Sequence, residues 1–393
     1  MTQSEQTNRR VVYMDHAATT PTNPEVYKAI LPFYSEQFGN PSSLYFLGKE
    51  SKNAVTRARE QTAVALGCLP EEVYFTAGGT EADNWALKGT AFSMRGKGRH
   101  IITTAIEHHA ILHTCEFLET CGFEVTYLPV DETGMVAPED VEEAIRDDTI
   151  LISVMMANNE VGTIQPVEKI GTIAREHDVL FHTDAVQAIG SVPIDFSSFP
   201  ADMLSISAHK FYGPKGVGAL IIRNGCTIEN FVHGGGQEGG MRAGTENLPG
   251  IVGLGVAIER ITRDIPDHNQ QITNMRNHLY ERIAETVPDV RLNGHPTSRL
   301  PGNLNLSFYG VEGEAMQLML SRKGICVSTG SACTSGTEGT SHVLTACGTD
   351  PVWARGTLRF SLGDANSEDD VEYTVGCLSE ITERLRKISP LYQ

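Results

Sequence analysis

The chain lacks long apolar runs. None approaches the ~20 residues needed to span a bilayer, so no membrane-spanning segment is expected. Residues Met1 to Arg10 are polar and contain no apolar centre of a secretory signal, so a cytoplasmic protein is expected. No C-x-x-C pair occurs among the eight cysteines (Cys68, Cys115, Cys121, Cys226, Cys326, Cys333, Cys347 and Cys377). Their scatter excludes a zinc ribbon and a disulfide framework and points to thiols in a reducing compartment. Basic residues are scarce as well: 31 Lys and Arg face 49 Asp and Glu, a net charge of −18. A surface of that sign repels phosphate backbones, so nucleic acid is not an expected partner.

At 393 residues and 40% hydrophobic, the chain can bury a large core and form more than one domain. Apolar runs at Val73–Thr76, His100–Thr104, Glu124–Leu128, Thr149–Met156, Val179–Thr183, Met203–Ile206 and Ala219–Ile222 read as seven strands. Amphipathic runs fall between most of them, at Glu81–Met94, Ala110–Cys121, Pro138–Arg146 and Val167–His177. This alternation predicts βαβ units, a mainly parallel sheet, and an α/β fold. A long helical pattern from Ile251 to Thr286 leads into a smaller α+β region. The expected large domain is 17–262. The expected small domain is 1–16 with 263–393 and carries a loop at about 328–341.

In parallel sheets, ligands gather outside the C-terminal strand ends, and here five strands end in chemistry-bearing residues. The first leads to Gly78-Gly79-Thr80, where two glycines admit a close ligand, Thr80 can cap a helix, and bare helix N–H groups attract phosphate. The next four lead to Glu107-His108, to Asn158-Asn159-Glu160, to Asp184 with Gln187, and to Ser207-Ala208-His209-Lys210. Each alone has a structural reading, as a core histidine, an Asx turn or a cap. Together they surround one crevice with a phosphate cradle, an aromatic ring, an amide, a carboxylate and an amine. Pyridoxal 5'-phosphate needs this set: a lysine for its aldehyde and a carboxylate for its pyridinium nitrogen. Asp184 is the candidate carboxylate, because an opposite charge at close range favours the protonated ring. His108 is placed to stack on the ring, and Ser207 and His209 to touch phosphate. Asn159 and Gln187 are candidates for the phenolic oxygen or a substrate carboxylate.

Cys333 sits in a Ser-, Thr- and Gly-rich stretch with no apolar neighbours to pack against, which makes it either a liability or a nucleophile. Cys68 and Cys377 are read as packing thiols. Arg359 alternates with apolar residues in Thr357–Ser361, which suits an inward guanidinium for a carboxylate or an edge-strand arginine.

The chain resembles the cysteine desulfurases of the NifS/IscS type, in the class V aminotransferase group of fold type I. The resemblance rests on an ordered set of motifs: Met14-Asp-His-Ala-Ala-Thr-Thr-Pro21, Gly39-Asn-Pro-Ser-Ser43, Thr80-Glu-Ala-Asp-Asn84, Glu107-His108, Asn158-Asn-Glu160, Asp184 with Gln187, Ser207-Ala-His-Lys210, Gly234-Gly-Gly-Gln-Glu238, Arg242-Ala-Gly-Thr245 and Ser331-Ala-Cys333. It implies that Lys210 holds the cofactor, Asp184 its ring nitrogen, and Gly79, Thr80, Ser207 and His209 its phosphate. It also implies that His108 stacks on the ring and serves as acid/base, Gln187 touches the phenolic oxygen, and Asn159 places the cofactor. Arg359, with Asn159, would hold the carboxylate of L-cysteine. Cys333 would take the sulfur as a persulfide, leave L-alanine, and pass the sulfur to an iron–sulfur scaffold or other acceptor. No resident metal is implied beyond transient iron–sulfur ligation by Cys333. Thr245 would reach the phosphate of a second subunit, which implies a homodimer. Tyr45 and Gly339-Thr340 depart from the usual pattern of the family, where histidine and Glu-Pro are common. The competing readings are a selenocysteine lyase or other class V enzyme, and a non-catalytic relative, which would be expected to lose Lys210 or Asp184.

Overall fold

The computed structural model describes residues 10–329 and 340–392. After β1 (Val12–Tyr13), the apolar runs form β2 (Val73–Thr76), β3 (His100–Thr104), β4 (Glu124–Leu128), β5 (Thr149–Ser153), β6 (Leu180–Asp184), β7 (Met203–Ser207) and β8 (Gly218–Ile222). The last seven make one sheet in the order β2-β8-β7-β6-β5-β3-β4. Neighbours from β7 to β4 are parallel, and β8 alone is reversed against both β2 and β7. The reversal follows from chain length: residues 208–217 are too few for a crossover, which takes about a dozen or more.

Both faces of this sheet are covered. Ile101, Leu151, Met203 and Leu220 pack on one side with helices Gly79–Met94 and His109–Thr120. Their neighbours Ile102, Ile152, Leu204 and Ile221 pack on the other with Phe46–Leu66, Val167–Glu176 and Leu248–Ile261. Successive residues of a strand face opposite ways, so strands buried on both sides read as unbroken apolar runs.

Beyond the sheet, β9 (Val290–Asn293), β10 (Asn303–Phe308) and β12 (Thr357–Ser361) form an antiparallel sheet in the order β12-β10-β9. It packs with helices Ile265–Thr286, Gly313–Arg322 and Glu368–Arg386 around a separate apolar cluster. Between β10 and β12 lies β11 (Ile325–Cys326), which pairs in parallel with β1, and Val12 and Met14 join the second cluster. On these two clusters we propose the domain division 17–262 against 1–16 with 263–393.

Two sequence expectations need correction. The helical run from Ile251 to Thr286 is two helices, Leu248–Ile261 and Ile265–Thr286. Pro266, in the first turn of the second, cannot donate to a preceding turn and disfavours helical backbone just before it. Thr80 is not an N-cap: Gly78 takes that position at φ +151°, and the helix opens at Gly79 with no side chain capping it. That backbone angle is one L side chains rarely adopt, which favours glycine at 78. The facing Gly218 is glycine for a different reason, since a Cβ there would lie 2.8 Å from the Gly78 Cα.

Candidate active site

The C-terminal ends of the strands and the start of helix Gly79–Met94 open on a cavity of about 430 Å³. Gly79, Thr80, His108, Asn159, Asp184, Gln187, Ser207, His209, Lys210 and Arg359 all line it. Among the described residues, one expected site residue is not part of its lining. Thr245 is exposed, on the segment after the glycine run. Cys333 lies outside the described residues.

Lys210 closes the single 3₁₀ turn Ala208–Lys210 that follows β7. Its Nζ donates to the carbonyls of Ala17 (2.5 Å) and Ala18 (2.9 Å). The Ala17 carbonyl also accepts from Gln187 Nε2 at 2.9 Å. Thr20 Oγ1 donates to the His209 carbonyl at 2.9 Å and accepts the Tyr212 N–H at 2.8 Å. The motif from Asp15 to Thr20 therefore lines the cavity at Ala17 and Ala18 and fixes the lysine turn. Asn158 and Asn159 divide their labour. Asn158 is buried, and its Oδ1 accepts the N–H groups of Glu160 and Val161 (2.8 and 3.0 Å) in an Asx turn. Asn159 is left to line the cavity. Arg242, of the motif that leads to Thr245, pairs with Glu81 at 2.8 Å.

Burial sets the charges. Asp184, the last residue of β6, is pushed up to about 6 by desolvation, while the Val186 N–H on its Oδ1 (2.9 Å) and the charge of Lys210 pull it back. Asp83 enters from the buried face of its helix. Its pKa is raised well above the usual carboxylate range, first by burial and then by Asp184, and its Oδ1 has no hydrogen-bond partner among the described residues. Burial lowers His108 to about 4, helped by Lys210 and the neighbouring histidines. Its Nδ1 accepts the Ala110 N–H at 3.1 Å, so the neutral ring carries its proton on Nε2. His209 falls to about 4 through burial and the charges of Lys210 and Lys215. Glu107 rises to about 8 by burial, although it accepts the Met155 N–H (3.0 Å) and the Thr104 hydroxyl (2.7 Å).

His182, under the floor, is fully buried between the hydroxyls of Ser153 and Ser205, each at 2.9 Å, and burial lowers it to about 3. A histidine depressed in the fold takes up protons only on unfolding as the pH drops. Its contribution to stability is thus fully present above about pH 6.5 and falls by about 1.4 kcal/mol per pH unit down to about pH 3. Denaturant unfolding of His182→Gln and of the parent between pH 7 and 4.5 should show the shallower loss in the variant. Equal slopes would contradict the buried neutral imidazole.

Several side chains at this site were not assigned a role from sequence: Asp15, Asp83, Glu160, Val186 and His342. Val186 lines the cavity between Asp184 and Gln187. Glu160, raised to about 7 by burial, accepts the Ser341 hydroxyl, and His342 Nε2 lies 3.0 Å from the Glu107 carbonyl. A carboxylate on the apolar face of a helix, as at Asp83, was the one legible signal.

A family model described as aminotransferase class-V matches residues 12–374. The chain belongs to that class, on its α/β fold with a seven-stranded mixed sheet. Within the class it belongs to the cysteine desulfurases. It is 56% identical to "Cysteine desulfurase IscS" of Methanosarcina thermophila over 98% of this chain and 95% of that one. A solved "NIFS-like protein" superposes at a TM-score of 0.91, with 40% identity, over 96% of this chain and 100% of that one. A second solved structure, "SspA in complex with cysteine", matches at a TM-score of 0.80 and 40% identity over 90% and 99% of the two chains. No helix among the described residues is long and apolar enough to cross a membrane.

Proposed function

We propose that this protein is a cysteine desulfurase that uses pyridoxal 5'-phosphate to convert L-cysteine to L-alanine and a persulfide on Cys333. The single observation that carries the reading is the convergence of Lys210, Asp184, His108 and Arg359 on one cavity, in a chain of this family.

The residues fit the cofactor. The uncapped start of helix Gly79–Met94 offers bare N–H groups to an anion, and Thr80, Ser207 and His209 stand beside it. A Cβ on Gly79 would lie 2.7 Å from Val186 Cγ2, so only glycine leaves this wall open. Asp184 at the far end matches a cationic ring nitrogen. Bound there, the cofactor supplies an electron sink that labilises the bonds next to the substrate's amine. Lys210 Nζ would hold its aldehyde and would move protons at the substrate's Cα. His108, neutral near pH 7 with its proton on Nε2, would stack on the ring, and Val186 would add an apolar wall. Gln187 and Asn159 hold polar oxygens in place, and Arg359 holds the substrate carboxylate.

The reaction balances as a transfer between thiols. The Cβ–S bond of cysteine breaks, an S–S bond to the Cys333 sulfur forms, and Cβ takes up the electron pair and a proton to give alanine. A thiolate is the soft nucleophile this step requires. The sulfur then passes to an acceptor such as an iron–sulfur scaffold protein, and the reactions take place in the cytoplasm. We also propose a homodimer, in which Thr245 completes the partner's phosphate site. The exposed Tyr34, Phe38, Leu44 and Phe46 near the N-terminal helices support this reading.

The test is incubation of the holoprotein with L-cysteine. Alanine and protein-bound persulfide should appear together, with the extra sulfur mapped by mass spectrometry to Cys333. Alanine formation with no sulfur on Cys333 would defeat the proposal. L-selenocysteine turned over in the same way, with L-cysteine inert, would favour the lyase reading.

A further inference from the structure

The motif Asp15-His16-Ala17-Ala18 has a use that the proposed reaction does not assign. Its carbonyls at Ala17 and Ala18 hold Lys210, and its one carboxylate holds Arg359. The Arg359 side chain is only 2% exposed, and Asp15 Oδ1 accepts from its Nη2 at 2.9 Å. Its Nη1 donates to the Asn159 carbonyl at 2.9 Å. Its Nε is buried and finds no acceptor among the described residues. A guanidinium has five N–H donors in a rigid planar fork, so each terminal nitrogen spends one hydrogen on the protein and the rest of the fork remains for a ligand. A buried cationic donor without an acceptor is costly, and here it borders the cavity in which a carboxylate is to be bound.

We infer that Asp15 is the positioning residue for Arg359, setting the guanidinium plane so that its unspent N–H groups take the carboxylate of the amino-acid substrate. The inference rests on the proposed role of Arg359. Asp15 is itself fixed. It bridges to Ser361 on the strand that carries Arg359, and Tyr13 Oη donates to its carbonyl at 3.0 Å. The Ala17 N–H donates to Ser361 Oγ at 2.9 Å. One short segment thus sets the spacing between the carboxylate-binding arginine and the lysine. The Asp15 carboxylate touches neither substrate nor reacting atoms in this arrangement; it acts through Arg359.

The test uses the holoenzyme and reads KM and kcat for L-cysteine together with calorimetric binding of L-alanine, which carries the same carboxylate and cannot lose sulfur. Asp15→Ala should raise KM and weaken L-alanine at least about tenfold, with kcat changed by less than about threefold. Asp15→Asn, which keeps an acceptor at Oδ1, should recover most of that loss. Unchanged L-alanine binding in Asp15→Ala, or an equal loss in Asp15→Asn, overturns the inference. Arg359→Lys separates the two readings. If it leaves L-alanine binding intact, Arg359 is not the carboxylate site and the premise fails. If it weakens binding while Asp15→Ala does not, only the inference about Asp15 fails.

Discussion

Lys210→Ala is expected to abolish alanine formation from L-cysteine, with a residual rate lower by on the order of 10³-fold or more. The lysine has two tasks, and the variant loses both. It holds the cofactor's aldehyde carbon, and it moves protons at the substrate's Cα, a task worth about 10² to 10⁴-fold by itself when a positioned group performs it. Its surroundings support both. The carbonyls of Ala17 and Ala18, at 2.5 and 2.9 Å, aim Nζ across the cavity, and the Asp184 carboxylate supplies a nearby opposite charge. The variant should still fold, since Lys210 is on a surface turn of the cavity and not in either apolar cluster. Purified Lys210→Ala should lose its visible cofactor band on dialysis, whereas the parent keeps it. A variant that retains the band and turns over within tenfold of the parent would remove Lys210 from the mechanism.

Lys210 could be found from sequence because strand geometry announces it. β7 is apolar through Ile206 and then turns polar within four residues, a pattern that places side chains at the end of a parallel strand. The same rule located Asp184, His108 and the glycine pair. It could not locate Asp15, which meets Arg359 across 344 positions of sequence. That contact rests on an isolated bridge from Asp15 to Ser361, just past the two-residue pairing of β1 with β11, and such short pairings leave little pattern to read. Asp83 left only a partial signal, a carboxylate on an apolar helix face. Its helix repeats apolar residues at the expected spacing, and the carboxyl at that position shows its significance only when the sheet brings Asp184 next to it. The break before Pro266 had a sequence signal in the proline, overridden by the continuous helical periodicity on either side of it.

Asp184 gives the second large effect. The cofactor is an electron sink in proportion to the protonation of its ring nitrogen, and a carboxylate at close range raises that nitrogen's pKa by about 1–3 units. Each unit is a factor of ten in the protonated fraction. Asp184→Asn should therefore lower kcat by about 10- to 10³-fold. The amide keeps an oxygen to accept the Val186 N–H, which sits 2.9 Å from Oδ1 in the parent, so the turn and the fold survive. Burial holds Asp184 near 6 even with Lys210 beside it. A cationic ring nitrogen beside it lowers Asp184 in return, as any opposite charge does. The parent's kcat should accordingly fall only as the pH drops below about 6, and the variant, with no carboxyl to titrate, should lack that limb. A variant with kcat within threefold of the parent and the same acid limb would show that another group holds the ring nitrogen. Asp83, buried beside Asp184 and raised above the usual carboxylate range, would then be the residue to replace.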